Sequence, residues 1–157
     1  CAAAIAAVTP ASAQFLADRK VWLLQTEHTT YAMGVNSRGE LQHLYWGARL
    51  WRADDLPNAV PVRDISSFDP SATRTPEEYP AWGGARFYEP ALKITRADGD
   101  RDVVLHYVSQ REQPDGVDIE LKDIDDDIFV TLRYRVFQKE DIVSRQSVIE
   151  NRSKQRV

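Results

Sequence analysis

The chain is 157 residues long, enough for one domain with a single core, and carries 20 basic against 24 acidic residues for a net charge of −4. That balance, without any Lys/Arg run, argues against a nucleic-acid partner, and a lone cysteine, Cys1, excludes an internal disulfide framework and a cysteine-based zinc site. Four Trp, six Tyr and five Phe suit either a packed β protein or a carbohydrate-facing surface.

Residues 1–8 form a small apolar run that continues into Thr9, Pro10, Ala11, Ser12, Ala13 and Gln14. Apolar residues running into Ala-Ser-Ala look like the tail of a secretory signal peptide cleaved after Ala13. A lipid-modified Cys1 is the rival reading, disfavoured because the apolar run of a lipobox precedes its cysteine, whereas here it follows. The stretch is shorter than the roughly 20 apolar residues of a membrane span, and no other segment could span a membrane. The expectation is a leader remnant over 1–14, one domain over 15–157, and export to the periplasm or beyond.

Short β-rich or alternating runs lie at 21–26, 30–35 and 41–46, the last two joined by the turn residues Asn36, Ser37, Arg38 and Gly39. His43, Tyr45, Trp46, Arg49 and Trp51 then crowd into nine positions. Such a cluster serves either as core packing or as flat faces that stack on sugar rings. Residues 51–90 interrupt the pattern with six of the eight prolines and with Trp82, Gly83 and Gly84. A connection this long is either functional, touching a ligand or partner, or a cover over an open end of the fold. Its acid pairs, Asp54-Asp55, Glu77-Glu78 and Asp64/Asp69, read as solvated or ligand-bonding groups, because closeness in sequence does not show two carboxyls about 5 Å apart across a sugar pocket, as a retaining glycosidase needs.

Further strands are expected at 91–96, 102–109, 117–122, 128–137 and 142–150. In the clearest, Val130, Leu132, Tyr134 and Val136 share one face and Thr131, Arg133 and Arg135 the other. Turn signals separate these runs at 97–100, 114–116 and 123–127. The acidic run at 123–127 lacks the glycine and closing glutamate of an EF-hand and reads as a solvated hairpin turn. His28, His43 and His106 have no metal-ligand spacing, and no Gly-rich loop could cradle a phosphate, so no metal or cofactor is expected. The fold class that follows is all-β, an antiparallel β-sandwich with a long Pro-rich loop insertion.

The ordered strings YAMGVNSRGELQHLYWGARL (31–50), SSFDP (66–70), EEYPAWGG (77–84) and RFYEPALKI (86–94), followed by 130–137 and 142–151, closely resemble the N-terminal domain of family-36 glycoside hydrolases, the α-galactosidase family. The resemblance covers about 15–151. It implies a β-supersandwich that precedes a catalytic (β/α)8 barrel, with retaining hydrolysis of terminal α-galactosides carried by barrel aspartates that this sequence does not contain. It further implies a homo-oligomer in which loops of this domain help shape a neighbouring subunit's pocket. Asp64 and Arg74, flanking the FDP motif, are the positions matching such loops, and a carboxylate and a guanidinium there could fix sugar hydroxyls. The family's Asp-Phe-Arg ahead of the Pro-Ala is replaced here by Arg86, Phe87 and Tyr88. Two alternatives stay open: a free-standing carbohydrate-binding sandwich that uses Trp46, Trp51 and Trp82 as stacking platforms, and an oligomerisation domain.

Overall fold

The computed structural model describes residues 13–62, 74–85, 89–154 and 156–157. Two four-stranded antiparallel sheets are each a simple meander, in orders β1-β2-β3-β4 and β5-β6-β7-β8. The strands are β1 (Ala13–Leu16), β2 (Val21–Gln25), β3 (Thr29–Val35), β4 (Leu41–Ala48), β5 (Leu105–Gln113), β6 (Gly116–Asp123), β7 (Ile128–Phe137) and β8 (Ile142–Asn151). Among the described residues no helix is long and apolar enough to cross a membrane.

The alternation read from the sequence sets the core. Trp22, Leu24, Met33, Val35 and Leu41 of the first sheet form one buried cluster with Val117, Ile119, Leu121, Val130, Leu132 and Tyr134 of the second. Strand β2 is buried on both faces, because Val21 and Leu23 join Ala32 and Leu56 in a smaller cluster behind the first sheet. The short 3-10 turn at Ala53–Asp55 brings Leu56 there, held by Arg19, whose guanidinium donates to the carbonyls of Ala53 and Leu56. The β3–β4 turn forms as expected: Gly39 adopts φ +84°, open to glycine at little cost, and the Asn36 side chain accepts from the Arg38 and Glu40 amides.

Several expectations are corrected. Strand β1, starting at Ala13, was not foreseen; it pairs antiparallel with β2. Residues 91–96 are no strand: Leu92, Ile94 and Arg96 are buried in strict alternation, yet among the described residues they make only the single bridge of Leu92 to Ala81. Alternation reports which way side chains face, and a ladder also needs a neighbour with free backbone groups. Strand β5 begins at Leu105 and runs on to Gln113, so the following turn shrinks to Pro114 and Asp115. The acidic run is not wholly solvated either, since Asp123 is buried and receives the Arg96 guanidinium at 2.7 Å.

The long excursion between β4 and β5 is built into the body of the domain. Tyr79, Ala81, Leu92, Ile94 and Val103 belong to the main core. Residues 76–78 lie along the outer edge of β4, where Pro76 O accepts from the His43 amide at 2.8 Å and the Glu78 amide donates to Leu41 O at 2.9 Å. An edge that would otherwise expose unpaired amides is thereby covered. Gly83 makes the closest approach, for a Cβ there would stand 2.3 Å from Val103 O and 2.4 Å from Val103 N. Val103 N is already bonded to Trp82 O at 2.9 Å, so the backbone has no room to yield. Gly83→Ala is expected to cost about 1–3 kcal/mol, measured as a lowered urea midpoint; an unchanged midpoint would show that this contact is slack.

Candidate functional site

The site begins with an irregularity in β4. Opposite β3, His43 faces Met33 and Tyr45 faces Ala32, which leaves Leu44 unmatched as a bulge. Directly paired residues share a face of the sheet. The extra residue therefore puts Leu41, His43 and Trp46 all on the inner face, where strict alternation would have separated His43 from Trp46. Trp46 pairs with Tyr31, their rings 6.3 Å apart, and Tyr31 meets the His43 ring edge-on at 5.0 Å.

Strand β8 faces this row from the other sheet. Its residues Val143, Arg145, Ser147 and Ile149 pair with Val136, Tyr134, Leu132 and Val130, so they share the inward face of β7. Yet β8 is mostly exposed, Ile149 to 49%, and Trp46 opposite is 75% exposed. The two sheets thus stop covering each other at this side, and a groove of about 510 Å³ opens there. Tyr31, His43 and Trp46 form one wall; Tyr134, Ile142, Val143 and Arg145 form the other, with Asp141 at one end.

Behind the groove sits Glu78, its side chain only 1% exposed. Its carboxylate accepts from the hydroxyls of Tyr31 and, at 2.7 Å, Tyr134, and from Arg145 Nη1 at 2.9 Å. His43 Nδ1 stands 3.2 Å away, and Arg145 Nη1 also bonds Glu78 O at 3.0 Å. One side chain from the excursion thereby ties β3, β4, β7 and β8 together. The sequence reading of the Glu77-Glu78 pair as solvated or ligand-bonding is wrong for Glu78. A carboxylate can be buried here because cationic and neutral donors converge on it. Burial, reinforced by the Glu78 charge, holds both tyrosine phenols well above their ordinary value. Burial works to lower the Arg145 guanidinium, but the Tyr134 and Glu78 oxygens outweigh it and keep the cation charged.

Asp141, in the β7–β8 turn with φ +57°, is also committed. It accepts from the Thr26 hydroxyl, from the His28 amide at 3.2 Å and from the Thr29 hydroxyl at 3.2 Å. The Thr26 hydrogen bond, aided by those of His28 and Thr29, holds its carboxyl below the usual carboxylate range. Both acids are thus engaged by converging donors, and Asp141, lowered rather than raised, lacks the raised carboxyl that proton donation near neutral pH needs. The arrangement is fitted to binding.

The residues singled out from sequence lie elsewhere. Asp64 falls outside the described residues. Arg74 is exposed, four positions before Glu78, and does not line the groove. Trp82 is half-buried beside a small cleft of about 160 Å³, with the Lys93 ammonium 5.2 Å from its ring centre. Trp51 is 87% exposed, with the Arg49 guanidinium 5.7 Å from its ring. The three proposed stacking residues thus do not converge on one surface pocket. The sequence reading gave no site role to Tyr134 or Arg145 and missed that Glu78 joins them. One signal was available: Tyr134 falls on the inward face of the clearest strand, and a buried phenol needs an acceptor. Among the described residues no group of three or more His, Cys, Asp and Glu side chains could hold a metal ion.

Comparison with known proteins places these observations in a lineage. The profile of the glycosyl hydrolase family 36 N-terminal domain matches residues 39–157. The bifunctional alpha-galactosidase/sucrose kinase AgaSK of Mediterraneibacter gnavus is 26% identical, over 85% of this chain and 17% of its own length. Alpha-galactosidase AgaA of Geobacillus stearothermophilus is 25% identical, over 88% of this chain and 22% of its own. Among solved structures, the fold is similar to that of alpha-galactosidase AgaB from Geobacillus stearothermophilus, with a TM-score of 0.78 at 22% identity over 91% of this chain and 23% of that one. The chain therefore spans about a fifth of the length of the curated relatives it matches.

Proposed function

Because the chain belongs to the glycosyl hydrolase family 36 N-terminal domain family, we propose that it serves as the auxiliary β-sandwich of a larger α-galactosidase-type enzyme. In this reading it supplies scaffold and subunit contacts, and the reacting carboxylates come from a catalytic domain outside these residues. The observation that carries it is the state of the two groove acids: Glu78 is buried under converging donors and Asp141 is held ionised. A retaining glycosidase needs one carboxyl free to attack and another raised enough to donate a proton. The relatives support the substrate class, since AgaA variants from Geobacillus stearothermophilus were solved with raffinose and with stachyose.

The 157-residue chain alone is expected to show no turnover of an aryl α-galactoside above the buffer rate. Turnover that survives Glu78→Gln and Asp141→Asn would refute the auxiliary role outright, and turnover that either change abolishes would make the groove itself the reacting centre. On the positive side, the reading frame beyond the Val157 codon should continue into a barrel sequence bearing the family's aspartates.

Three finer features belong to the same proposal. Asp64 and Arg74 act as loop groups that bind sugar hydroxyls in a neighbouring subunit's pocket, which predicts that Arg74→Ala in the longer enzyme raises KM more than it lowers kcat. Homo-oligomerisation and export complete the reading. They are supported by the resemblance and by the apolar run ending in Ala11-Ser12-Ala13, and are checked by sedimentation and by cell fractionation.

A further inference from the structure

Beyond that auxiliary role, we propose that the groove between β4 and β8 is itself a binding site for a neutral saccharide, with Trp46 as its stacking platform. Four observations converge. The groove, about 510 Å³, is within the range of small-ligand clefts. Its rim carries an indole that is 75% exposed although the Leu44 bulge turns it to the inner face of its sheet, next to Tyr31 at 6.3 Å. A large apolar ring left in water at the mouth of a cleft gains most from a ligand that covers one face of it.

The polar groups are fixed in advance. Arg145 is anchored through Nη1 to Glu78 while its side chain stays 44% exposed. Asp141 is held by Thr26, His28 and Thr29. A ligand that bonds to them loses little further side-chain freedom.

Charge selects the class of ligand. The charged groups lining the groove are Asp141 and Arg145, one of each sign, and Arg145 already has Glu78 behind it, so nothing there is left to attract an anion. The Arg145 guanidinium, kept cationic by its neighbours, repels a cation entering along the same wall. An apolar peptide side chain would cover the exposed part of the Arg145 guanidinium without offering it an acceptor. A polyhydroxylated ring has an apolar face for Trp46 and hydroxyls that both donate to Asp141 and accept from Arg145.

The test is titration of the 157-residue chain with raffinose and with methyl α-galactoside, following the indole N–H resonance of Trp46 and the heat of binding. Saturable binding with a roughly millimolar Kd is expected, and Trp46→Ala should weaken it about tenfold or more. Trp51→Ala and Trp82→Ala should bind as the unaltered chain does. Because Trp46 is exposed, the variant should keep its unfolding midpoint, so that lost binding cannot be ascribed to lost structure. Absence of saturation, or binding indifferent to Trp46→Ala, overturns the proposal. So does self-association that Trp46→Ala abolishes without any response to sugar, which would make the groove a contact between copies of the chain. None of these outcomes bears on the family membership or on the missing turnover, so the two readings fail separately.

Discussion

Replacing Arg96 by alanine is expected to cost about 3–5 kcal/mol. Its guanidinium is 4% exposed and meets Asp100 and Asp123 at 2.6 and 2.7 Å, with Nε against the Asp126 carboxylate. It also donates to Asp102 O at 2.7 Å. One side chain thus fastens the turn at 97–100 and the lead-in to β5 onto the β6–β7 connection. Burial works against the Arg96 charge, but three carboxylates outweigh it and hold the guanidinium above its ordinary value. For Asp123 the balance is reversed: burial pushes its carboxyl up, and the Val104 amide and Arg96 only partly pull it back. Alanine would strand that ionised carboxylate in a site that is 1% exposed.

The effect should therefore depend on pH, in a sense fixed by linkage. A carboxyl raised on folding stabilises the fold below its unfolded value and loses that contribution as pH rises through the folded value. Without Arg96 the Asp123 carboxyl rises further, so the deficit of the variant is greatest near neutral pH and shrinks on acidification toward roughly pH 4. Urea unfolding at several pH values measures this. A deficit that is flat with pH would mean that lost packing, rather than a stranded charge, is responsible. Arg96→Lys should fall in between, because a single ammonium cannot span the carboxylates that a fork reaches.

The second large loss is expected from Glu78→Ala, about 2–4 kcal/mol. The reasoning differs because the abandoned cation can escape: Arg145 is 44% exposed and can turn to water. The cost arises instead from the Tyr134 hydroxyl, on a residue only 1% exposed, and from the space left between the sheets. Glu78→Gln keeps the volume and one acceptor and should cost roughly half as much. Since a domain of this kind is stable by only about 5–15 kcal/mol, the alanine variant should show a much lower urea midpoint. A loss equal for the two substitutions would mean that the charge, and not the hydrogen-bonded shape, does the holding. If Glu78 does tie the sheets, Glu78→Ala should also blunt any saccharide response at Trp46, since Tyr31 and Arg145 would lose their anchor.

Much was legible from the residues in order. Period-two alternation gave β6 and β7, and short β-rich runs gave β2 and β3, nearly to their ends, while the turn residues Asn36 to Gly39 gave the tight β3–β4 connection. Those signals are local: a side chain's polarity records which face it must take, and a turn's backbone records which residues tolerate it. The ordered motifs gave the family in the same way, because they depend on identity and sequence order alone. What stayed hidden required knowledge of neighbours. Residues 91–96 alternate like a strand but, among the described residues, find no ladder partner beyond one bridge. Asp123 and Glu78 look like surface acids until Arg96, 27 residues before the one, and Arg145, 67 residues beyond the other, arrive beside them.

The groove is the clearest case. Nothing in the string Leu41 to Ala48 announces a bulge, which is the misfit of one strand against another, yet that misfit decides that His43 and Trp46 share a face. Alternation, turns and family were thus determined by the sequence itself, because each is settled within a few residues. Which acids are buried, which indole is left in the open and where the sheets part were decided only when distant segments packed, since burial and charge pairing are properties of the space between elements.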